Sequence, residues 1–191
     1  MANELQGKKI AILLAPVGTE QVEFEESKKA VEEAGGTVDV VGLQAGDAQT
    51  MNSDVNPGDT FTVEKTFSEV SADEYDGLVV PGGTVGADNL RGSEEAVSFV
   101  HSFFEQAKPV GVICHGPWTL VEADVVKGRT LTSYPTIKTD IRNAGGNWVD
   151  KEVVVDQGLV TSRNPNDLPA FNAKIVEEFA EGEHKEQRKS A

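Results

Sequence analysis

Short apolar runs separated by helical patterns are the feature of this sequence that most limits its fold. The first run covers Ile10 to Leu14, and similar runs cover residues 78–80 and 109–113. A continuous apolar run of this length is typical of a strand buried on both faces of a parallel sheet. A helix is predicted over about residues 20–34, between the first two runs. Strands that alternate with helices predict a three-layer α/β/α sandwich around a mostly parallel sheet.

The length of 191 residues suits one domain. We predict a single domain over residues 1–191, with its core at about 8–180. Residues 44–75 are less regular and predict short strands and a hairpin. Residues 181–191 are polar and contain no core-forming side chain, which predicts a loose tail.

The charge and composition of the chain exclude several functions. Its net charge is −15 and its pI is near 4.5, so it repels nucleic acid phosphates and anionic lipid headgroups. No apolar run approaches the ~18 residues that a membrane span requires. The first residues lack the apolar stretch of a signal peptide, and one cysteine cannot form an internal disulfide. We therefore expect a cytoplasmic protein with no nucleic acid or membrane partner.

Three segments that could carry chemistry follow predicted strands, at residues 18–20, 81–83 and 114–116. Ligands of a doubly wound sheet bind beyond the carboxyl ends of its strands, so we expect these segments to meet. Cys114 lies between a buried strand and a helix with no loop residues to spare, which predicts a nucleophile elbow. A helix N-terminus favours an anion, so we expect the pKa of the thiol to fall below ~8.5. The alternative is a buried structural cysteine.

The histidines are scattered, which predicts no metal site and no cofactor. The side chain of His115 points about 100° away from that of Cys114 in a helical turn, so direct proton abstraction is expected to be awkward. The backbone N–H groups of His115 and Gly83 are candidates for an oxyanion hole. Pro-Gly-Gly-Thr at 81–84 does not match a phosphate-binding loop, because the next helix is predicted about ten residues later, from Ser93.

Several glutamates lie in the first helix. Glu20 is expected in its first turn, where it either compensates the helix dipole or reaches the site. Glu23, Glu25 and Glu26 are interpreted as charge compensation only.

Longer motifs add a family resemblance over roughly residues 8–180. They are Thr-Glu-Gln-Val-Glu-Phe from 19, Val-Pro-Gly-Gly at 80–83, Ile-Cys-His-Gly-Pro-Trp at 113–118, Thr-Ser-Tyr-Pro at 132–135, Asn-Ala-Gly-Gly-Asn-Trp-Val-Asp at 143–150 and Val-Thr-Ser-Arg-Asn-Pro at 160–165. The sequence thereby resembles the PfpI family of intracellular cysteine peptidases and general stress proteins, in the superfamily of the Parkinson-disease deglycase. That resemblance implies a flavodoxin-like, class I glutamine amidotransferase-like fold.

The resemblance also implies roles for single residues. The residue matching Cys114 is the nucleophile, and the glutamate matching Glu20 hydrogen-bonds to its thiol. The histidine matching His115 pairs with a carboxylate of a neighbouring subunit, which Asp88 matches here. A site of that kind requires a homodimer or a higher homo-oligomer. The alternative is that Asp88 caps a short helical turn before Arg91.

Activities attributed to such proteins include peptide hydrolysis, deglycation of methylglyoxal-modified amino groups and conversion of methylglyoxal to lactate. Each can begin with thiolate attack on a carbonyl carbon. The leading hypothesis is an enzyme that acts on small carbonyl compounds or their protein adducts, with a peptidase as the runner-up. A redox-sensing or chaperone-like stress protein, in which Cys114 is oxidised, is the alternative. A glutamine amidotransferase requires a histidine well downstream, where only His184 in the polar tail is present.

Overall fold

A computed structural model of the chain describes residues 3–190. Its strands are, in chain order, β1 (Lys9–Leu13), β2 (Val17–Glu20), β3 (Thr37–Gly42), β4 (Gly46–Asn52), β5 (Asn56–Val63), β6 (Lys65–Thr66), β7 (Gly77–Val80), β8 (Val110–Ile113), β9 (Thr130–Leu131), β10 (Asn147–Trp148), β11 (Val153–Asp156) and β12 (Leu159–Ser162). Its α-helices are α1 (Gln21–Glu33), α2 (Thr84–Arg91), α3 (Glu94–Glu105), α4 (Pro117–Glu122), α5 (Lys138–Asn143) and α6 (Leu168–Glu181).

The main sheet has seven strands in the order β11-β12-β8-β7-β1-β3-β6. Every pairing in it is parallel except that of β11 with β12. The central strand β1 is flanked on both sides, with Ile12 paired to Val40 on β3 and to Val79 on β7. The strands predicted from the apolar runs are confirmed.

Helices cover both faces of this sheet, as expected for strands that are apolar on both sides. Side chains alternate along β1: Ala11 and Leu13 pack in one core with residues of α2, α3, α4 and α5. Ile10 and Ile12 pack in a second core with residues of α1 and α6. The structure therefore confirms the three-layer, flavodoxin-like α/β/α sandwich.

A second, three-stranded sheet lies beside the main one, in the order β2-β4-β5. β4 and β5 form the antiparallel hairpin expected within residues 44–75. β2 pairs in parallel with β4, so the hairpin is attached to the segment that leads into α1.

The structure corrects the helix expected only from Ser93. That helix exists as α3, with Ser93 at its N-cap, but α2 precedes it and begins directly after Gly83. Gly83 adopts φ +87°, which lets the chain turn from β7 into α2 within residues 81–83. A Cβ atom there would lie 2.1 Å from the carbonyl oxygen of Gly18.

The segment after α6 is polar, as predicted, but the structure contradicts the expectation of a loose tail. The N–H of His184 donates to the carbonyl of Ala107 at 2.7 Å. Gln187 is fully buried, and Arg129 donates to its carbonyl at 2.9 Å. Residues 1, 2 and 191 of the predicted domain lie outside the described residues. None of the helices in the described part of the chain is long and apolar enough to cross a membrane.

Candidate active site

Cys114 occupies the predicted elbow between β8 and α4. Its φ of +62° is in the left-handed region, which a residue other than glycine adopts only at a cost. Two backbone hydrogen bonds hold this conformation: the N–H of Cys114 donates to Ser162, and its carbonyl accepts from Tyr134. Ser162 and Tyr134 both lie near the carboxyl edge of the sheet. The side chain of Cys114 is nevertheless only 6% exposed, so a reactant must enter a confined space.

The carboxyl group next to the thiol belongs to Glu23, on α1. Glu23 is fully buried, and its Oε2 accepts a hydrogen bond from the N–H of Gly82 at 2.7 Å. Its side chain is also hydrogen-bonded to Cys114. The pKa of Glu23 is raised to about 8, mainly by burial and in part by the charge of Glu20, although the hydrogen bond from Gly82 lowers it. Glu23 therefore carries a proton at neutral pH.

The structure contradicts the expectation that Glu20 hydrogen-bonds to the thiol. The carboxylate of Glu20 turns instead to the β4–β5 hairpin, where it accepts from the N–H groups of Ser53 and Asp54 at 3.0 and 3.3 Å. Glu20 is the last residue of β2 and has extended backbone, whereas Glu23 lies in the first turn of α1, so the two side chains leave the chain in different directions. Glu23 takes the position that was assigned to Glu20.

The expected fall in the pKa of the thiol is also wrong. Burial raises the pKa of Cys114 well above its ordinary value, and the charge of Glu23 raises it further. The backbone N–H groups of Gly83 and His115 hydrogen-bond to the sulfur and oppose this rise. The predicted helix N-terminus does follow Cys114. Its lowering effect on the pKa of the thiol is smaller than the rise caused by desolvation. The resting group at neutral pH is a thiol beside a protonated carboxyl group.

His115 lies against the sulfur in spite of the angle between neighbouring side chains. Its Nδ1 atom is 3.3 Å from Sγ of Cys114, so direct proton transfer is geometrically possible, contrary to the sequence-based expectation. The ring is stacked on Tyr134 at 4.6 Å and tilted against Trp118 at 5.2 Å. Burial lowers the pKa of His115, while the charge of Asp54 opposes this effect. The imidazole is therefore neutral at pH 7 and able to accept a proton.

The other ring nitrogen of His115, Nε2, faces Thr84, which is hydrogen-bonded to Asp54; neither residue was predicted as a site residue from the sequence. Nε2 lies 3.5 Å from the hydroxyl oxygen of Thr84 at the start of α2. Thr84 in turn donates to the carboxylate of Asp54 through its backbone N–H, at 2.6 Å, and through its hydroxyl, at 3.0 Å. Thr84 directly follows the Val-Pro-Gly-Gly motif, but Asp54 stands in no motif, so the sequence alone carries no signal for this contact.

Asp88 does not contact His115 of its own chain. It lies on α2, where its carboxylate forms an ion pair with Arg91 at 2.7 Å. The side chain of Asp88 is 61% exposed and therefore accessible from outside the chain. The guanidinium of Arg91 lies over the ring of Trp118 at 4.3 Å. The expected contact with a neighbouring subunit stays a prediction.

A cavity of about 230 Å³ opens onto the thiol. Its lining residues are Glu20, Glu23, Ser53, Asp54, Cys114, Tyr134 and Pro165. Three of these are acidic and one is aromatic, so the space suits a small neutral molecule better than an anion.

One group of possible metal ligands lies far from this cavity along α6. Side-chain atoms of Glu178, Glu181 and His184 lie within 4.8 Å of one another. Nε2 of His184 lies 3.1 Å from Oε2 of Glu178. From the sequence, His184 was interpreted as isolated. The two glutamates come close to it only through the folding of the segment after α6.

Comparisons with known proteins agree with the fold and with the motifs. The model of the DJ-1/PfpI family matches residues 8–178. A Bacillus subtilis protein named "Putative cysteine protease YraA" is 42% identical over 169 residues, which cover 88% of this chain and 96% of that protein. The structure of Drosophila melanogaster DJ-1beta superposes with a TM-score of 0.79 at 32% identity, covering 95% of this chain and 94% of the other.

A two-domain protein from Anabaena variabilis, with DJ-1/ThiJ/PfpI-like and ferritin-like domains, superposes with a TM-score of 0.83. It is 34% identical, and the match covers 89% of this chain but only 47% of that protein. The resemblance stated from the motifs is confirmed.

Proposed function

Because the chain belongs to the DJ-1/PfpI family, we propose that it is a cytoplasmic, cysteine-dependent enzyme that acts on small reactive carbonyl compounds or on the adducts they leave on proteins. The observation that carries this proposal is the 3.3 Å contact between Sγ of Cys114 and Nδ1 of a neutral His115. A thiol of raised pKa gains reactivity most effectively from a base that removes its proton as it attacks.

The first step is the addition of Cys114 to an aldehyde. A new bond forms between Sγ and the carbonyl carbon, and the thiol proton moves to Nδ1 of His115. The electron pair of the C=O double bond moves to oxygen. The backbone N–H groups that hydrogen-bond to the sulfur, those of Gly83 and His115, are close enough to stabilise that oxyanion. The proton on Nδ1 then passes to the oxygen, which gives a hemithioacetal and restores the base.

For methylglyoxal the reaction can close without an external oxidant. Neutral His115 removes the proton from C1 of the hemithioacetal and delivers it to C2, while the hydroxyl proton moves from the oxygen on C1 to the oxygen on C2. The adduct thereby becomes a lactoyl thioester on Cys114. Water then hydrolyses the thioester, which releases lactate and restores the thiol. The carbon that is oxidised and the carbon that is reduced belong to the same molecule.

The size of the cavity favours small carbonyl compounds over peptides. About 230 Å³ holds a three-carbon aldehyde with several waters, whereas an extended peptide needs a longer groove beside the nucleophile. The name of the Bacillus subtilis relative supports a thiol nucleophile. A peptidase activity remains the runner-up for this chain.

A redox-sensing or chaperone-like role is the second candidate, and it too rests on the donors around the sulfur. The protonated carboxyl group of Glu23 and the N–H groups of Gly83 and His115 surround Sγ. The same donors could hold the oxygen atoms of a sulfinic acid at Cys114.

The deciding experiment measures methylglyoxal loss and lactate formation by the purified protein, beside Cys114→Ser. Lactate formation that is lost in Cys114→Ser, by roughly a thousandfold or more, supports the proposal. Cleavage of unmodified peptides without methylglyoxal turnover would favour the peptidase. Stoichiometric oxidation of Cys114 by peroxide, with no turnover of either substrate, would favour the redox role.

We further propose that the enzyme works as a homodimer or a larger homo-oligomer. This proposal rests on the exposed carboxylate of Asp88 and on its match to the acid that family members supply across a subunit contact. Light scattering tests the assembly directly.

A further inference from the structure

Thr84 lies between the imidazole of His115 and the carboxylate of Asp54. Its hydroxyl oxygen is 3.5 Å from Nε2 of His115 and 3.0 Å from Oδ2 of Asp54. A carboxylate only accepts hydrogen bonds, so the hydroxyl proton of Thr84 points toward Asp54. The lone pairs of the hydroxyl oxygen therefore face Nε2, and the matching imidazole carries its proton on Nε2.

That tautomer matters for the thiol on the other side of the ring. An imidazole with its proton on Nε2 presents a lone pair at Nδ1, which is the atom 3.3 Å from Sγ of Cys114. The opposite tautomer would direct an N–H at the sulfur and could not accept the thiol proton. The choice of tautomer thus decides whether His115 acts as a base.

Asp54 is held in place by an unusual turn. Ser53 and Asp54 both adopt left-handed conformations, with φ of +53° and +64°. Their N–H groups donate to the carboxylate of Glu20, which fixes the turn at the edge of the cavity. Two consecutive left-handed residues other than glycine are costly, and such strain is common beside functional sites. Asp54 also acts on the imidazole through its charge, which favours the protonated form of His115.

We propose that Asp54 is a positioning residue, which acts through the Thr84 hydroxyl to keep His115 in the tautomer that accepts the Cys114 proton. The chain thereby supplies an orienting carboxylate of its own. During attack the proton moves from Sγ to Nδ1, and the Nε2–H bond to Thr84 strengthens as the ring becomes charged. No proton passes to Asp54. The catalytic role of His115 in this inference rests on the proposed function. The test of the tautomer does not depend on that function.

The competing explanation is that Asp54 merely caps α2, because Thr84 is the first residue of that helix and its N–H bonds to the Asp54 carboxylate. A cap of this kind stabilises the helix without affecting the imidazole. The two explanations differ in what the side chain of Thr84 contributes.

The experiment compares Thr84→Val, which removes the hydroxyl and keeps the backbone N–H, with Thr84→Ser, which keeps both. Thr60→Val, at an exposed position on β5, is the matched control. Two readouts need no substrate: the ¹⁵N shifts of His115, which report its tautomer, and the pH profile of Cys114 alkylation by iodoacetamide. We expect Thr84→Val to populate the Nδ1–H tautomer and to slow alkylation at pH 7 roughly tenfold. Thr84→Ser and Thr60→Val should match the parent protein.

A wild-type tautomer and alkylation profile in folded Thr84→Val would overturn the proposal and leave only the capping role. If Thr84→Val does not fold, Asp54→Asn provides the decision, because it removes the charge and keeps an acceptor for the backbone N–H of Thr84. An unchanged tautomer in Asp54→Asn counts against the proposal in the same way. A tautomer shift in Thr84→Val together with no turnover of methylglyoxal by the parent protein would support the positioning role and reject the proposed function.

Discussion

The carboxyl group of Glu23 and the thiol of Cys114 share a hydrogen bond inside the protein, although Glu23 lies on α1 and Cys114 lies between β8 and α4. Burial raises the pKa of both groups, and the charge of an ionised Glu23 raises the pKa of Cys114 further. Gly82 makes this contact possible, since a Cβ atom there would lie 2.6 Å from Cβ of Cys114 and 2.7 Å from Oε2 of Glu23. The reactivity of the sulfur therefore depends on the charge of one carboxyl group.

Substitution of Glu23 by Gln should make the thiol more reactive at alkaline pH. The amide cannot ionise, so it removes the charge that raises the pKa of Cys114 and still donates to sulfur. We expect the iodoacetamide alkylation profile of Glu23→Gln to move to lower pH, with a rate at pH 9 roughly threefold to tenfold above that of the parent protein. Intact-mass analysis measures the rate.

Two further variants make that result specific. Glu26→Gln, at an exposed position on the same helix, should match the parent protein. Glu20→Gln should not reproduce the shift of Glu23→Gln, because the Glu20 carboxylate contacts the Ser53–Asp54 turn and not the thiol. If Glu20→Gln moved the profile and Glu23→Gln did not, the sequence-based assignment would be restored.

Stability should fall as pH rises, because Glu23 holds its proton more tightly in the folded chain. Its pKa rises from 4.5 to about 8 on folding, so the folded state binds the extra proton between those values. The stabilisation is complete below about pH 4.5 and is lost as pH rises through about 8; it amounts to about 3–5 kcal/mol. Urea unfolding at pH 6 and pH 9 measures the part of this loss that falls above pH 6, about 2–3 kcal/mol.

The same unfolding experiment on Glu23→Gln isolates the contribution of this one group. Cys114 also has a raised pKa and weakens the fold at alkaline pH in both proteins. The loss between pH 6 and pH 9 should therefore be smaller in Glu23→Gln than in the parent protein. Equal losses in the two proteins would mean that Glu23 is ionised throughout this range.

Subunit mixing tests whether Asp88 completes a site on another chain. Cys114→Ser and Asp88→Ala should each be inactive alone, and the mixture should regain part of the methylglyoxal turnover. One interface of a mixed dimer combines an intact thiol with an intact acid. A mixture of Cys114→Ser with His115→Ala is the control, because both groups belong to one chain and no intact site forms. A monomeric protein with full activity would rule out the shared site.

The acidic lining of the cavity predicts discrimination by substrate charge. Glu20 and Asp54 flank the entrance to the thiol, and the whole chain carries a net charge of −15. Methylglyoxal is neutral, whereas glyoxylate presents the same aldehyde group beside a carboxylate. We expect kcat/KM for glyoxylate to be at least roughly tenfold lower at low salt, and the ratio to narrow in 0.5 M salt because exposed charges are screened. Equal values at low salt would contradict this prediction.

Much of this molecule was predictable because its strands are buried on both faces. Apolar runs such as Ile10 to Leu14 mark the parallel strands, and the order of motifs places Cys114 at their carboxyl edge. Glu23 was also within reach of sequence reasoning. It precedes Ser27 and Val31 at intervals of four residues, so helical spacing puts it on the buried face of α1. An acidic residue on such a face requires a partner.

Other parts of the site depend on contacts between distant segments. Asp54 reaches Thr84 only because the β4–β5 hairpin folds over the start of α2, and an irregular stretch of sequence gives no register for that hairpin. The pKa of Cys114 reflects a balance between desolvation and the N–H groups at the elbow. A motif identifies those donors, but the extent of burial is a property of the whole fold.

The packing of residues 184–187 has a practical consequence for anyone who shortens or tags this protein. Arg129 is nearly fully buried, and one of its acceptors is the carbonyl of Gln187. A deletion after Glu181, which the polar composition of the segment invites, would take that acceptor away from a guanidinium in the interior and cost about 1–3 kcal/mol. Affinity tags are better attached before Leu5, and deletion series should treat residues 182–187 as part of the folding unit.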